Sequence, residues 1–368
     1  MTRPIMIAAG GTGGHFFPAE ALAAELQRRG RTVALMTDAR SGGDRSAVFA
    51  GAERFVLRGG GIAGHGLAKI LKSTASLVAG TIQALGILRR LRPLAIVGFG
   101  GYPTVAPVLA SRILRHRPHV VLHEQNAVLG RANRALSRFS DRLALSFSET
   151  ARVPRHARGI VVGNPVRSAI IACAGMPYDP ATDQFNLLVL GGSLGATVFS
   201  NVVPDAVGLL PDHLIARLRV TQQCRKEDLG KVANAYAALG ITANLSSFFP
   251  DVADIIANSH LVIARAGAST VAELAAIGRP AILVPLPSAI DDHQRANARA
   301  IADAGGAWMM HQSIFTAVDL ADFLAPLMEA PDRLAAVAHA AAAFGGSGAT
   351  SRLADLVEQS INSAENAA

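Results

Sequence analysis

The chain has 368 residues, of which 50% are hydrophobic and 17% charged, with a net charge of +8. This composition excludes a disordered chain and suffices for two domains of ordinary size. The charge is uneven, because residues 1–168 carry 24 Lys and Arg against 8 Asp and Glu, whereas residues 169–368 carry 11 against 19. A basic first half indicates contact with a polyanion, either an anionic membrane surface or nucleic acid.

Strands and helices alternate along the chain, which predicts the α/β class with parallel sheets covered by helices. In the first half the expected strands are 5–9, 32–37, 94–98, 119–122 and 143–146. The helices expected there are 17–29, 67–92, 105–114 and 127–137. In the second half the expected strands are 187–190, 214–221, 243–244, 261–264 and 281–284. The helices expected there are 197–210, 227–239, 251–257, 269–277 and 291–304, followed by a closing helical region at 332–360.

A glycine-rich turn occurs twice, each time between a predicted strand and a predicted helix. The first is 10–15 (GGTGGH), with the hydroxyl of Thr12, and the second is 191–196 (GGSLGA), with that of Ser193. Glycine allows close backbone approach, and the free N–H groups of the following helix suit a phosphate. Neither turn has the spacing GxGxxG, so no dinucleotide cofactor is predicted. Two such turns predict two Rossmann-like domains facing a cleft, with residues 163–165 (GNP) as the hinge.

The predicted first domain has two further places where polar side chains suggest a function. His15 begins the helix after the first glycine turn, where an imidazole can be a general base or can simply bind a phosphate or backbone group. Asn126 ends the segment 123–126 (HEQN), which follows strand 119–122 at an edge where such sheets bind ligands. The four polar side chains of 123–126 form either a ligand site or a hydrogen-bonded loop, and we favour a site.

The segment 265–270 (RAGAST) follows strand 261–264 and opens a helix. Its backbone N–H groups, with the hydroxyls of Ser269 and Thr270, can hold a diphosphate. Glu273, one turn further, can accept both hydroxyls of a ribose, or can only satisfy the start of the helix. The acidic and histidine residues at 291–293 point in different directions from a helix start, so no metal site is predicted.

The stretch 67–92 is amphipathic, with seven apolar residues expected near one helical face. They are Leu67, Ile70, Leu71, Val78, Ile82, Leu85 and Leu88. The flanking basic residues are Lys69, Lys72, Arg89, Arg90 and Arg92. Such a stretch is either an ordinary helix packed on the core or a helix that lies on anionic lipid.

Membrane-spanning and disulfide-bonded structures are not indicated. The longest uncharged runs, 93–111 and 184–204, are broken by Gly and Pro. Cys173 and Cys224 are the only cysteines, which we expect to be unpaired thiols in a reducing compartment. No signal peptide is predicted.

Nucleic acid is not an expected partner, because the basic residues are not interleaved with aromatic ones.

Seven segments, taken in order, resemble the bacterial peptidoglycan N-acetylglucosaminyltransferases. They are 10–26, 98–107, 123–134, 163–167, 190–196, 264–285 and 291–298. The resemblance covers nearly the whole chain and implies the glycosyltransferase B fold. It also implies inverting transfer of N-acetylglucosamine from UDP-N-acetylglucosamine to undecaprenyl-pyrophosphoryl-MurNAc-pentapeptide, without a metal or other cofactor. The expected location is the cytoplasmic face of the inner membrane, as a peripheral protein that other cell-wall enzymes can contact.

The resemblance also implies a division of labour between the domains. Residues 1–163 would bind the acceptor and face the membrane, and residues 164–344 would bind the UDP-sugar. A C-terminal helix at about 345–365 would pack back on the first domain. Closure about 163–165 would then exclude water during the transfer.

Residue roles follow from the resemblance in the same way. His15 is the candidate catalytic base, with Glu124 and Glu20 as rivals. Ser193 and the helix start formed by Ala268, Ser269, Thr270 and Val271 would hold the diphosphate, and Glu273 the ribose. The main chain of Phe249 would read the uracil, and Gln294 the sugar hydroxyls. Contacts to the donor from the other domain or the hinge would come from Thr12, Gly13, Gly14, Asn126 and Arg167.

Two positions depart from the family pattern. Leu194 stands where many members have Gln, which removes a possible polar contact to the donor. Phe249 replaces a smaller aliphatic residue, a change that a main-chain contact survives. Three alternative functions remain open: transfer of a UDP-sugar to a diacylglycerol lipid, epimerisation of UDP-N-acetylglucosamine at C2, and a non-catalytic nucleotide-sugar-binding or membrane-docking subunit.

Overall fold

The computed structural model describes residues 3–10, 13–39, 46–58, 67–157, 159–181, 183–192 and 195–365. The chain forms two units, which we describe separately. The first is Met1–Arg167 together with Gly348–Ala368, and the second is Ser168–Ser347. The chain therefore leaves the first unit after Arg167 and returns to it at Gly348.

The first unit is built on a sheet of seven strands. These are β1 (Ile5–Ala8), β2 (Val33–Thr37), β3 (Glu53–Val56), β4 (Ala95–Gly98), β5 (His119–Glu124), β6 (Arg142–Leu145) and β7 (Gly159–Val161). Their order is β3-β2-β1-β4-β5-β6-β7, and each neighbouring pair is parallel. The central strand β1 is apolar and buried throughout because helices cover both faces of the sheet.

Two helix layers cover this sheet. The helices are α1 (Gly13–Arg28), α2 (Leu67–Leu91), α3 (Tyr102–Ser111), α4 (Arg131–Leu136) and α14 (Ala349–Glu365). On one face, Leu26 of α1 and Val357 of α14 join one buried cluster. On the other face, Leu88 of α2, Val108 of α3 and Leu136 of α4 join a second cluster.

Charged groups fix α14 to α1. The guanidinium of Arg29 lies 2.6 Å from a carboxylate oxygen of Asp355 and 2.9 Å from one of Glu358. Arg31 lies 2.7 Å from the second oxygen of Glu358. Burial opposes ionisation of Glu358, but the hydrogen bonds from Arg31 and Arg29 outweigh it and lower its pKa. The C-terminal helix is thus part of the first unit.

The second unit has a sheet of six parallel strands. These are β8 (Phe185–Leu190), β9 (Leu218–Gln223), β10 (Ala243–Ser246), β11 (Leu261–Ala264), β12 (Ala281–Leu283) and β13 (Trp308–Met309), in the order β10-β9-β8-β11-β12-β13. Its helices are α5 (Ser168–Cys173), α6 (Thr197–Val207), α7 (Asp212–Arg217), α8 (Leu229–Ala238), α9 (Val252–Ala257), α10 (Ala268–Ile277), α11 (His293–Asp303), α12 (Ala317–Met328) and α13 (Pro331–Gly345). The α/β class with two parallel-sheet domains is therefore confirmed.

Some predicted elements were wrong in detail. The expected strand 214–221 is divided, because Asp212–Arg217 forms a helix that buries Leu214 and only then does β9 begin. The expected helix 127–137 starts late, at Arg131, because Val128 forms a parallel bridge with Ala151. The closing region is two helices separated by Gly346 and Gly348, whose φ angles are 57° and 79°.

The apolar stripe of α2 forms as predicted, but only part of it is buried. Leu88 is fully buried on the sheet, and Leu85 is partly buried against the same cluster. Val78 and Ile82 lie towards the other edge of the same stripe and are 54% and 66% exposed. The side chains at 67–72 lie outside the described part of the chain. α2 is therefore a core-packed helix that also presents apolar side chains to solvent.

The side chain of His123 holds the backbone at Gly163, close to where the chain leaves the first unit. It is fully buried at the carboxyl end of β5, and its Nε2 lies 3.0 Å from the carbonyl oxygen of Gly163. Its Nδ1 lies 3.0 Å from the side-chain amide nitrogen of Gln125, which fixes Nδ1 as the acceptor and Nε2 as the donor. Arg352 of α14 donates to the neighbouring carbonyl of Val162 at 3.0 Å.

We predict that acid destabilises the first unit through His123. Burial lowers the pKa of His123 from 6.5 to about 4. Between pH 6.5 and pH 4, the unfolded chain therefore binds a proton at His123 more readily than the folded chain does. The free energy of unfolding that is present above pH 6.5 is lost as the pH falls towards 4. The loss is about 3 kcal/mol by the conversion of pKa shifts into free energy. Urea unfolding at pH 7 and pH 4.5 measures it.

The control is His123→Gln, which keeps a donor for Gly163 without a group that titrates in this range. Its loss of stability between the two pH values should be smaller than that of the wild type by about the same amount. If both proteins lose equal stability, His123 is not the acid-sensitive group.

Candidate functional site

Each sheet reverses its strand order at one point, and several of the candidate site residues lie there. In the first unit, β1 and β4 are neighbours, while the chain continues from β1 towards β2 and from β4 towards β5. In the second unit, β8 and β11 are neighbours in the same way. Loops beyond the carboxyl ends of such strand pairs diverge and leave a crevice for ligands.

His15 lies in this crevice of the first unit. It belongs to the first turn of α1, and its imidazole is half-buried against the loop that follows β4. A Cβ atom on Gly100 would lie 3.6 Å from His15 Nε2, and one on Gly101 would lie 3.8 Å from Nδ1. Both glycines have positive φ angles, 89° and 70°. The absence of side chains at these two positions leaves space beside the imidazole.

Asn133 shares that space and was given no role in the sequence analysis. It is 2% exposed, and its side-chain amide donates to Glu124 Oε2 at 2.9 Å and to the carbonyl oxygen of His123 at 3.1 Å. Its buried Oδ1 has no hydrogen-bond partner among the described residues. The Cβ atom imagined on Gly100 would lie 3.7 Å from that oxygen. An unpaired buried acceptor beside an imidazole is suited to a hydroxyl group of a ligand.

Glu124 is a structural residue. Its Oε1 accepts hydrogen bonds from the backbone and side-chain nitrogens of Asn126, at 3.1 and 3.0 Å. Its Oε2 accepts from Gly130 N at 2.8 Å and from Asn133. With 2% exposure and four donors, this carboxylate has no capacity left for a substrate proton. For Glu124, the hydrogen-bonded-loop interpretation is therefore the one that the structure supports, and Asn126 belongs to that loop.

The remaining candidates of the first unit lie at the start of α1. Arg167 places its guanidinium carbon 4.5 Å from the ring centre of Phe17, two residues after His15. A Cβ on Gly13 would lie 2.7 Å from the same ring, so this position excludes a side chain. Gly14 follows in the same turn and is half-buried. Thr12 lies outside the described residues.

The second glycine turn follows β8. A Cβ on Gly191 would lie 2.5 Å from the backbone nitrogen of Ala196, so the turn closes tightly on itself. Gly192 and Gly195 have φ angles of 78° and 67°. Ser193 and Leu194, for which a diphosphate contact and a lost polar contact were expected, lie outside the described residues.

The start of α10 lies beside this turn, because β11 is hydrogen-bonded to β8. Ala268 is the first residue of α10, and its N-cap Gly267 provides no side chain to satisfy the first N–H groups. The Oγ of Ser269 is buried and has no hydrogen-bond partner in the part of the chain that the structure describes. A helix start with an unpaired hydroxyl is suited to an anion.

Three more predicted residues lie on α10. Val271 is 1% exposed and packs in the interior, so only its backbone is available. Thr270 is half-buried in the first turn. Glu273 is 8% exposed, one turn further along. The sequence thus placed the three side chains on one helix, as observed.

Two buried polar residues support the loop before α10, and the sequence analysis gave them no role. Arg265 donates to the carbonyls of Val284 and Pro285, at 3.0 and 3.3 Å, and to Gln312 Oε1 at 2.7 Å. Burial lowers its pKa. Asn297 is fully buried and donates to the carbonyl of Ala266 at 3.1 Å. Both occur in the sequence segments quoted above, but their partners are distant in sequence.

Phe249 and Gln294 follow the carboxyl ends of two other strands of this sheet. Phe249 follows β10 and is 8% exposed. Gln294 is in the first turn of α11, and its Oε1 accepts a hydrogen bond at 3.0 Å from Leu286 N in the loop after β12. All described candidates of the second unit therefore follow the carboxyl ends of strands in one sheet.

The described residues contain no group of three or more His, Cys, Asp or Glu side chains that could hold a metal ion. No helix among them combines the length and apolar character needed to cross a bilayer. Cys173 and Cys224 are buried and unpaired.

Comparison with known proteins identifies the family. Residues 5–145 match the glycosyltransferase family 28 N-terminal domain, and residues 186–359 match the family 28 C-terminal domain. Two relatives carry the name UDP-N-acetylglucosamine–N-acetylmuramyl-(pentapeptide) pyrophosphoryl-undecaprenol N-acetylglucosamine transferase. The one from Granulibacter bethesdensis is 60% identical over 98% of this chain and 95% of its own length. The one from Acidiphilium cryptum is 54% identical over 98% of both.

A solved structure agrees with these relatives. The crystal structure of Acinetobacter baumannii MurG is 30% identical to this chain, with a TM-score of 0.78, and the match covers 97% of this chain and 99% of that one. The chain therefore belongs to glycosyltransferase family 28.

Proposed function

We propose that the chain transfers N-acetylglucosamine from UDP-N-acetylglucosamine to undecaprenyl-pyrophosphoryl-MurNAc-pentapeptide, which forms the disaccharide-linked lipid used to build peptidoglycan. The observation that carries this proposal is the 60% identity to the relative of that name over 98% of the chain. The fold agrees with it, because both units have a ligand crevice at the point where strand order reverses.

The second unit binds the donor in this proposal. The first N–H groups of α10 and the unpaired Oγ of Ser269 hold the diphosphate, with Ser193 and Thr270 as further hydroxyl donors. Glu273 accepts the ribose hydroxyls, the main chain at Phe249 reads the uracil, and Gln294 binds the sugar. As the bond from the anomeric carbon to the diphosphate breaks, the helix dipole stabilises the negative charge that develops.

The first unit binds the acceptor. The C4 hydroxyl of the muramoyl sugar attacks the anomeric carbon from the face opposite UDP, and the new glycosidic bond forms as the bond to the diphosphate breaks, with inversion. His15 takes the hydroxyl proton, and no side chain at Gly100 or Gly101 competes with the substrate for the position beside the imidazole. Glu124 is not a candidate base, because four donors occupy its carboxylate.

We predict that His15→Ala lowers kcat by about a hundredfold or more, which is the usual contribution of a general base. The KM for UDP-N-acetylglucosamine should change little, because the groups that hold the donor's diphosphate and ribose lie on other elements. Steady-state UDP release with a short-chain lipid acceptor measures both parameters. An unchanged kcat would remove His15 as the base.

We predict that Glu273→Ala raises the donor KM by about tenfold or more, since hydrogen bonds to a charged group contribute ~1.5–3 kcal/mol. The alternative, that Glu273 only satisfies the start of α10, predicts a lower melting temperature with a wild-type KM. Glu273→Gln is the matched control, because it keeps an acceptor without the charge and should lie between the two. A normal donor KM in Glu273→Ala refutes the ribose role.

The exposed apolar face of α2 is the proposed membrane contact, through which the protein is held peripherally at the cytoplasmic face of the inner membrane. Val78 and Ile82 are exposed on this face. Arg89 is exposed at the end of the helix, and Arg90 pairs with Glu53 at 2.6 Å. Apolar side chains beside basic residues are typical of helices that lie on anionic lipid. An acceptor anchored in the bilayer requires such a contact.

We predict that the double variant Val78→Asp/Ile82→Asp binds anionic vesicles at least about tenfold more weakly, because it removes the apolar contact and adds repulsion. Vesicle co-sedimentation at low salt measures the change. Val318→Asp is the control, since Val318 is 59% exposed on α12 of the second unit. Equal losses in the control and the double variant would place the membrane contact elsewhere.

A further inference from the structure

We propose that the side-chain oxygen of Asn133 accepts a hydrogen bond from the C6 hydroxyl of the acceptor's muramoyl sugar, and that this contact makes Asn133 a specificity-determining residue. Asn133 lies on α4 of the first unit and is 2% exposed. Within the described residues, its buried Oδ1 has no hydrogen-bond partner. Such an unpaired acceptor costs folding free energy, which a ligand recovers when it supplies the missing donor.

The orientation of the Asn133 amide is fixed by two acceptors. Its nitrogen, Nδ2, donates to Glu124 Oε2 at 2.9 Å and to the carbonyl oxygen of His123 at 3.1 Å. A reversed amide would place Oδ1 against both of these oxygens, and none of the three carries a proton when Glu124 is ionised. Both N–H groups are therefore used within the protein, and Oδ1 is the atom that this side chain offers to a ligand.

This oxygen lies close to the proposed base. A Cβ atom on Gly100 would lie 3.6 Å from His15 Nε2 and 3.7 Å from Asn133 Oδ1, which are ordinary contact distances. The loop that carries Gly100 is held in place, because the hydroxyl of the buried Thr104 lies 2.9 Å from the carbonyl oxygen of Gly100 and 3.1 Å from that of Ala8. Neighbouring hydroxyl groups of one sugar can therefore meet the imidazole and the amide oxygen together.

The chemistry of the muramoyl sugar, which the proposed function makes the acceptor and on which this inference rests, decides which group meets Oδ1. The C4 hydroxyl has one proton, which passes to His15, so this hydroxyl cannot also donate to Asn133. The oxygen at C3 is an ether to the lactyl group and has no proton, and the N-acetyl N–H at C2 lies beyond it. On the other side of C4, the hydroxymethyl group on C5 ends in the C6 hydroxyl, which is free to donate.

The contact selects acceptors by what they carry at C6. A sugar without a donor there leaves Oδ1 unpaired in the complex, and sites built to bond a hydroxyl reject analogues that lack it. A uronic acid is rejected as well, because its carboxylate would face Oδ1 and the neighbouring carboxylate of Glu124. Asn133 therefore favours a sugar with a free hydroxymethyl group beside the attacking hydroxyl.

Acceptor analogues test this contact without altering the protein. A short-chain acceptor is prepared with the native muramoyl sugar, with its 6-deoxy form and with its 6-deoxy-6-fluoro form, and kcat/KM of the wild type is measured for each. We expect both modified acceptors to lose about tenfold or more in kcat/KM, because each leaves Oδ1 unpaired. Fluorine cannot donate a hydrogen bond, so a fluoro acceptor as good as the native one would contradict the proposed contact.

Two variants assign the contact to Asn133. Asn133→Ala removes the acceptor atom, so its kcat/KM values for the native and 6-deoxy acceptors should agree within about twofold. Gln125→Ala is the matched control, since Gln125 is also a buried amide whose Oε1 has no partner among the described residues and whose nitrogen donates to the carbonyl oxygen of His123 at 3.0 Å. It should keep the wild-type preference for the native acceptor. The ratio of the two kcat/KM values does not depend on how much of a variant is folded.

Failure of this inference and failure of the proposed function give different results. If the wild type releases no UDP with the native acceptor, the proposed function fails and the inference fails with it. If the wild type uses the native and 6-deoxy acceptors equally well, the transfer reaction stands and the C6 contact is refuted. A preference for the native acceptor that persists in Asn133→Ala would assign the contact to another residue and overturn the role of Asn133.

Discussion

A parallel sheet covered on both faces leaves only the loops beyond its strand ends free to bind ligands. This constraint governs both units of the protein. At each reversal of strand order, a buried strand leads through a glycine turn into a helix whose first N–H groups have no partner within the helix. The proposed chemistry depends on these helix starts, because they stabilise a leaving diphosphate with backbone dipoles.

The two crevices are built from the same parts but carry different chemistry. In the first unit, the glycine loop after β4 leaves space beside the imidazole of His15 and the unpaired Oδ1 of Asn133. In the second unit, the space adjoins the start of α10 and the unpaired Oγ of Ser269. A base with a neighbouring acceptor suits a hydroxyl nucleophile, whereas a helix start with a hydroxyl suits a phosphate. The division between acceptor and donor follows from these residues.

The elements that carry the site could be predicted from local sequence. Strand, glycine turn and helix start are short-range features, so α10 begins within one residue of its predicted position at Ser269. The sequence failed where distant residues decide the outcome. The partners of Arg265 lie at 284, 285 and 312, and no local pattern relates them. Glu124 stayed a rival to His15 as the base because the sequence does not show that Asn133 and Gly130 occupy its carboxylate.

The buried and the exposed parts of the apolar stripe on α2 could not be told apart for a similar reason. An apolar pattern shows that side chains avoid water, but it does not show how many partners the fold supplies for them. The sheet buries Leu88, whereas Val78 and Ile82 receive no such cover. The surplus apolar surface is what suggests a bilayer as a partner.

The most direct measurement is UDP release by the wild-type protein from UDP-N-acetylglucosamine, with and without a short-chain undecaprenyl-type pyrophosphoryl-MurNAc-pentapeptide, together with identification of the sugar product. The account predicts that UDP appears only with the acceptor, in equal amounts with a new disaccharide on the lipid. Conversion of the UDP-sugar to its C2 epimer without any acceptor, or UDP binding with no turnover under either condition, would contradict it.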